Sequence, residues 1–167
     1  MANVATLLEA LQPVTTLIGT LKATAPREVE ATLNGAFPLK GAAVQTIRAL
    51  VREGIEAKWL CDRENGQVRY SRLQKSTAPE VLSIDAVHMQ GAGGSHTHVN
   101  GEFDLCFAVD AGAKFDGRAE GWVVYAPNTW HVPTVEGGRM DILYFLPGGG
   151  IQFGEQPAGS TAVGLQT

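Results

Sequence analysis

The segment GAGGSHTHVNGEFD, residues 91–104, places two histidines and two acids behind a run of glycines. His96 and His98 are two residues apart, and on a strand that spacing turns both rings to one face. Glu102 comes after Val99, Asn100 and Gly101, which predict a turn and an antiparallel return that aims the carboxylate back at the imidazoles. A third histidine, His131, follows Pro127 and Asn128 in YAPNTWHVP. Three neutral imidazoles and one carboxylate form a donor set suited to Fe(II), Mn(II), Zn(II), Ni(II) or Cu(II). Four protein ligands would leave one or two positions of an octahedral ion for water or substrate. The alternative is three unrelated histidines, but the chain holds only four and three fall in this pattern. The fourth, His88 in IDAVHMQ, is expected as a hydrogen-bonded wall residue, with lining of the cavity near the metal as the other reading.

These residues need strands to carry them. From Trp59 onward the chain alternates short β-rich segments with Gly, Asn and Pro. KWLCDRENGQVRYSRL predicts a hairpin turning at Asn65-Gly66. EVLSIDAVHMQ, GEFDLCFAVD, GWVVYAP and GRMDILYFLP follow, and closely spaced strands of this kind suggest a sandwich or barrel. The first third reads helical instead. Leu7, Leu8, Leu11, Val14, Leu17, Ile18 and Leu21 recur at three- and four-residue spacing as an apolar stripe, with Pro13 expected to start or kink the helix. A second helix is expected in APREVEATLNGAFP, stopping at Asn34-Gly35, and a third in KGAAVQTIRALVREGIEA. The expected organisation is a helical region over 1–56, packed on the barrel or on a second subunit, a barrel over 57–155, and a flexible tail over 156–167.

Composition narrows the partners. A hydrophobic fraction of 44% with 18% charged residues describes a soluble globular chain, and a net charge of −4 gives no reason to expect nucleic acid or an anionic membrane. No apolar run is long enough to span a bilayer, and the N-terminus lacks the basic start of a signal peptide. Cys61 and Cys106 are expected as free thiols in a reducing cytoplasm. Apolar helix stripes and a sheet edge make a homodimer the expected assembly.

The pattern resembles the cupin superfamily, whose fold is a small antiparallel jelly-roll barrel. Gly91, His96, His98, Glu102 and Gly112 match its first motif, and Gly121, Pro127, Asn128 and His131 match its second. Asn128 stands where glycine is usual, and Asn enters the left-handed region more readily than most residues. Val135 stands where Asn often closes the motif, and the gap from Glu102 to Gly112 is longer than usual. The ordered set GGSHTHVNGEFDLCF, FDGRAEGWVVYAPNTWHVPTV and GGRMDILYFLPGGGIQF, behind a helical third, resembles the 4-hydroxylaminobenzoate lyase family over nearly the whole chain.

That resemblance implies conversion of 4-hydroxylaminobenzoate to 3,4-dihydroxybenzoate (protocatechuate) and ammonia, in bacterial breakdown of 4-nitrobenzoate. It implies a divalent ion, Fe(II) or Mn(II) first and Zn(II) or Ni(II) also admitted, and a small aromatic carboxylate as substrate. His96, His98 and His131 would hold the ion. Glu102 would be a fourth ligand or a general acid/base. Asp104 shares strand parity with Glu102 and is a candidate proton carrier, or else a surface residue beyond a bulge. Cys106 is expected as a small core residue. Tyr144 could donate to a substrate oxygen, and Trp130 could wall the pocket. A substrate carboxylate favours an arginine; Arg63, Arg69, Arg72 and Arg139 are available, with Arg139 taken first. The competing readings are another metal-dependent cupin enzyme, such as an aromatic-ring dioxygenase, and a ligand-binding cupin that is not an enzyme.

Overall fold

The apolar residues of the N-terminal third recur at helical spacing, and the computed structural model, which describes residues 1–164, forms three helices there. α1 (Val4–Ile18) opens on a capping box: Thr6 N donates to Asn3 Oδ1 at 3.1 Å, and Asn3 N donates to Thr6 Oγ1 at 3.2 Å. Pro13, expected to start or kink a helix, lies inside this one. The buried residues Leu7, Leu11, Val14 and Ile18 lie on both sides of it and Pro13 itself is exposed, so burial of the stripe outweighs one missing hydrogen bond. α2 (Pro26–Ala36) carries its proline in the first turn and runs one residue past the expected Asn34-Gly35 stop. α3 (Ala42–Glu56) buries Val44, Ile47, Val51 and Ile55.

Eleven strands follow among the described residues. β1 (Arg63–Asn65) and β2 (Val68–Gln74) form the expected hairpin, with Gly66 (φ 61°) and Gln67 as its two-residue loop. The others are β3 (Leu82–Ala92), β4 (His96–His98), β5 (Glu102–Ala108), β6 (Lys114–Phe115), β7 (Gly121–Tyr125), β8 (Thr129–His131), β9 (Thr134–Pro147), β10 (Ile151–Phe153) and β11 (Thr161–Ala162). The larger sheet runs β1-β2-β3-β9-β5-β7, with β6 added on β9, and the smaller runs β10-β4-β8-β11. Every pairing is antiparallel except β11 on β8. The two sheets face one another as the cupin-type barrel, preceded by the helical region. Within the expected tail, Thr161 and Ala162 pair with Thr129 and Trp130; residues 165–167 lie outside the described residues.

At its centre, in β5, β7 and the second half of β9, the larger sheet is buried on both faces, so these stretches are largely apolar rather than alternating. Its outer face and the helices share one core, including Leu11, Leu33, Val51, Ile84, Phe103, Leu105 and Phe145. The apolar stripes of the helices are thus covered within the chain. Its inner face builds a second core with Val87, Met89, Cys106, Phe115, Met140, Ile142 and Tyr144. No helix among the described residues is long and apolar enough to cross a membrane. Cys61 and Cys106 are buried and free. Burial pushes the Cys61 thiol up to about 12.

Polar clamps fix the helical layer. Glu30 is buried on α2 and accepts from Arg118 at 2.6 and 2.7 Å and from the Val124 amide on β7 at 3.0 Å. Trp122 Nε1 donates to Phe37 O at 2.9 Å. Burial pushes the Glu30 carboxyl up, but its bonds to Arg118 and Val124 outweigh this and hold it below its ordinary value of 4.5. The ionised form is therefore favoured by folding, and that stability is present above pH 4.5 and lost as pH falls through the depressed native pKa. Glu30→Ala should cost about 2 to 4 kcal/mol in urea unfolding at pH 7, and should remove this part of the acid sensitivity; an unchanged urea midpoint would show that the clamp does not hold α2. Iodoacetamide should leave both thiols unmodified in the native protein and alkylate them in urea, as read by mass spectrometry.

Candidate metal centre

The three histidines all come from the smaller sheet. His96 and His98 alternate with Thr97 on β4, so their rings share the inward face, and antiparallel register sets His96 directly opposite His131 on β8. Glu102 arrives from the other sheet. The expected hairpin between His98 and Glu102 does not form: β4 pairs with β10 and β8, while β5 pairs with β7 and β9. Residues 99–101 instead carry the chain across the barrel. Gly101 permits the crossing; at φ 87°, an added Cβ would meet Ala23 Cβ at 2.6 Å and Tyr125 O at 3.0 Å. The carboxylate thus faces the imidazoles from the opposite wall. The Asn128 turn before His131 adopts φ 61°, the left-handed conformation expected of it.

One donor atom from each of His96, His98, Glu102 and His131 lies within 4.8 Å of all the others, and all four residues are buried. His131 Nε2 is 3.0 Å from His96 Nε2 and 3.1 Å from His98 Nε2. Glu102 Oε2 is 3.1 Å from His98 Nε2, and Glu102 Oε1 is 3.9 Å from His96 Nε2.

The far side of each ring settles its tautomer. His96 Nδ1 faces Gly94 O at 3.0 Å, and His131 Nδ1 faces Asp116 Oδ2 at 2.6 Å; both partners only accept. His98 Nδ1 faces Thr129 Oγ1 at 2.8 Å, and that hydroxyl spends its own hydrogen on Ala126 O at 2.6 Å. Each Nδ1 therefore carries a proton, which leaves Nε2 as the atom that each ring turns toward the same point and can offer to a metal. Neither Glu102 oxygen meets a hydrogen-bond donor. The unpartnered Glu102 oxygens and the three Nε2 atoms around them call for positive charge at the point they share. The nitrogen separations match neighbouring ligands of an octahedral ion held about 2.1 Å from each, so the donor set fits a divalent metal.

The surrounding charges follow from this arrangement. Burial pushes Glu102 up, but the adjacent His98 and His96 rings outweigh it and hold the carboxylate well below its usual range. Asp104, fully buried two residues along β5, has no donor facing it; burial and the Glu102 charge push it well above the usual range. Asp104 thus lies inside the barrel, not beyond a bulge. Tyr144, directly opposite Asp104 on β9, is also buried on the inner face.

Other side chains named from the sequence are placed elsewhere. His88 and Arg139 sit at outward positions of the larger sheet, where both line an open groove of about 350 Å³ with Arg69 and Glu64. His88 Nδ1 bonds Asp141 at 2.6 Å, and Arg139 is committed to Asp110 through two bonds of 2.8 Å. The sheet separates both from the imidazoles, because strand parity sends them opposite to Met89 and Met140. Trp130 likewise alternates outward from His131 and donates to Gly154 O at 2.9 Å.

Three supporting residues escaped sequence reasoning. Asp116 accepts from His131, from Tyr125 Oη at 2.5 Å and from Thr134 N at 2.9 Å. Burial pushes Asp116 up, but the bond to His131 outweighs it and keeps the carboxylate below its usual range. Tyr125 stacks on His98 with ring centroids 4.5 Å apart, and Thr129 orients His98. The available signal was Asp116-Gly117, which forms a tight hairpin with φ 49° and 76°, closed by paired bonds between Phe115 and Arg118.

Residues 10–153, which include all four donors, match the family model described as PnbB: 4-hydroxylaminobenzoate lyase. A 4-hydroxylaminobenzoate lyase of Nocardioides sp. (strain LMS-CY) is 30% identical over 145 residues, covering 80% of this chain and 86% of that protein. One of the same name from Pseudomonas putida is 30% identical over 155 residues, covering 81% and 88%. Among solved structures, a protein with a double-stranded beta-helix domain from Klebsiella pneumoniae subsp. pneumoniae MGH 78578 is similar at a TM-score of 0.41 and 16% identity, covering 56% of this chain and 89% of that one.

Elemental analysis of purified protein should find about one divalent ion per chain, and His96→Ala or His131→Ala should lose it while remaining folded. Asp116→Asn should weaken metal affinity by about 10- to 100-fold in a competition titration. Metal-free protein that takes up no added ion would remove the centre.

Proposed function

The chain belongs to the 4-hydroxylaminobenzoate lyase family and is an enzyme of lyase type, and we propose that it converts 4-hydroxylaminobenzoate and one water to protocatechuate and ammonia. The observation that carries this reading is the convergence of His96, His98, His131 and Glu102 inside the barrel, beside Asp104 and Tyr144, in a chain that matches the family over most of its length. The reaction demands a proton at the departing hydroxylamino oxygen, water at the ring carbon beside nitrogen, and hydrolysis of the resulting imine. One water is consumed overall and no electrons are transferred.

A divalent ion bound by His96, His98, His131 and Glu102 would supply Lewis acidity toward oxygen and acidify a bound water; Fe(II) or Mn(II) is our first assignment. Asp104 is the proton carrier, delivering to the departing oxygen and recovering the proton from the water that adds. It faces inward beside Glu102, and no donor from elsewhere reaches its carboxyl. Tyr144 lies opposite Asp104 and orients a substrate oxygen through its hydroxyl. The apolar inner residues around them, Val87, Met89 and Ile142, exclude bulk water and flank an aromatic ring.

Anaerobic incubation of metal-loaded protein with 4-hydroxylaminobenzoate should yield protocatechuate and ammonia in equal amounts by chromatography and an ammonia assay. A strict requirement for oxygen would replace this reading with a ring dioxygenase. Asp104→Asn should lower kcat by about 10²- to 10⁴-fold while retaining the metal; full activity in that variant would move the proton-carrying role elsewhere.

A further inference from the structure

A row of polar side chains crosses the inner face of the larger sheet from its rim to the metal centre. Arg72 on β2 is directly opposite Asp85 on β3, Asp85 is opposite Tyr144 on β9, and Tyr144 is opposite Asp104 on β5. Directly paired residues share a face, and Tyr144 belongs to the inner core, so the whole row faces inward. Parity on β2 agrees: Leu73 joins the core beneath the helices, while Val68 packs on the inner core. We infer that Arg72, held in place by Asp85, binds the carboxylate of the aromatic substrate; this rests on the lyase reading above.

The geometry of Arg72 leaves a fork for such a ligand. Its Nε donates to Asp85 Oδ1 at 2.7 Å and its Nη2 to Asp85 Oδ2 at 3.0 Å. That side-on pair uses two of five N–H groups, and the end-on pair, one hydrogen from each terminal nitrogen, remains for a second carboxylate. Asp85 fixes the plane of the guanidinium, so little side-chain freedom is lost on binding. The local charge is positive: Arg63 is opposite Tyr70 on the same inward face, is exposed, and among the described residues makes no ion pair. Two guanidiniums thus stand against one carboxylate.

The rim suits an aromatic ring. Tyr70 and Phe153 are 39% and 68% exposed although both occupy inward-facing positions. Tyr70 is two residues from Arg72, and Phe153 pairs with His96, their ring centroids 5.6 Å apart. The two sheets also meet in the right sense. Tyr125 on β7 stacks on His98 of β4, whereas the loop leading into β10 abuts Ser83 on β3. β10 therefore ends the smaller sheet on the β2–β3 side, where Arg72 is 44% exposed at its side chain. Three strand spacings, about 14 Å, separate the Arg72 and Asp104 backbones, a gap that the long arginine side chain and a para-substituted benzoate fill between them. The other arginines are less suited: Arg139 and Arg69 face outward, and Arg118 is clamped to Glu30.

The test compares ligands that differ only in the carboxylate. Protocatechuate and catechol are measured as competitive inhibitors of 4-hydroxylaminobenzoate turnover in wild type, Arg72→Ala and Arg72→Lys. Arg72→Ala should raise KM for 4-hydroxylaminobenzoate and the inhibition constant of protocatechuate by about 10- to 100-fold, change kcat far less, and leave catechol inhibition unaltered. Arg72→Lys should recover part of the loss. An unchanged KM, or equal weakening of both inhibitors, overturns the assignment while leaving the lyase reading intact. Wild-type protein that does not turn over 4-hydroxylaminobenzoate defeats that reading, and the carboxylate anchor with it.

Discussion

Four buried side chains aimed at one point are held together by what lies behind them. Gly94 O, Thr129 and Asp116 each take the Nδ1 hydrogen of one imidazole, leaving every Nε2 directed inward. Such an arrangement favours positive charge at its centre, and the rest of the barrel holds it in place. The smaller sheet sets the spacing of the rings through the His96–His131 register. The larger sheet brings Glu102 from the opposite wall, so the distance between the sheets becomes a coordination parameter. The inner core of Phe115, Ile142, Met140 and their neighbours fixes that distance.

The larger sheet divides the chemistry of the chain into two compartments. Its outer face carries the helices and a separate polar group in which Asp141 joins His88 and Arg52. Its inner face gathers Glu102, Asp104 and Tyr144. Each strand contributes to both, because alternate residues point to opposite sides. The helices cover the outer apolar surface, and the inner face holds the buried polar groups. The Glu30 clamp links these layers, since the β7 strand it fixes also carries Tyr125 against His98.

A substrate with a polar group at each end of a ring fits the asymmetry of the inner face. Cationic and aromatic side chains occupy its exposed rim, and carboxyl groups and imidazoles occupy its buried centre. In the same register, the Arg72–Asp85 pair and the Asp104–Tyr144 pair are ends of one row. In the proposed complex the carboxylate of an aromatic acid is held at the rim by Arg72, with Arg63 nearby, and the opposite end of the ring points to the buried centre.

The spacing in the sequence determined much of this protein. His-x-His on a strand, a turn before Glu102 and an Asn-led turn before His131 sufficed to name the four donors, and helical periodicity located all three helices. These are local signals, carried by residues within a few positions of one another. Which wall of the barrel each donor occupies was settled only by the tertiary structure, because a turn residue such as Gly101 serves equally for a hairpin and for a crossing between sheets. Asp116, Tyr125 and Thr129 gained their meaning from pairing partners distant in the chain. The same holds for the arginines: Arg72 and Arg139 are indistinguishable as residues, and only strand register, which a shift of one residue would invert, places one inside the barrel face and the other outside.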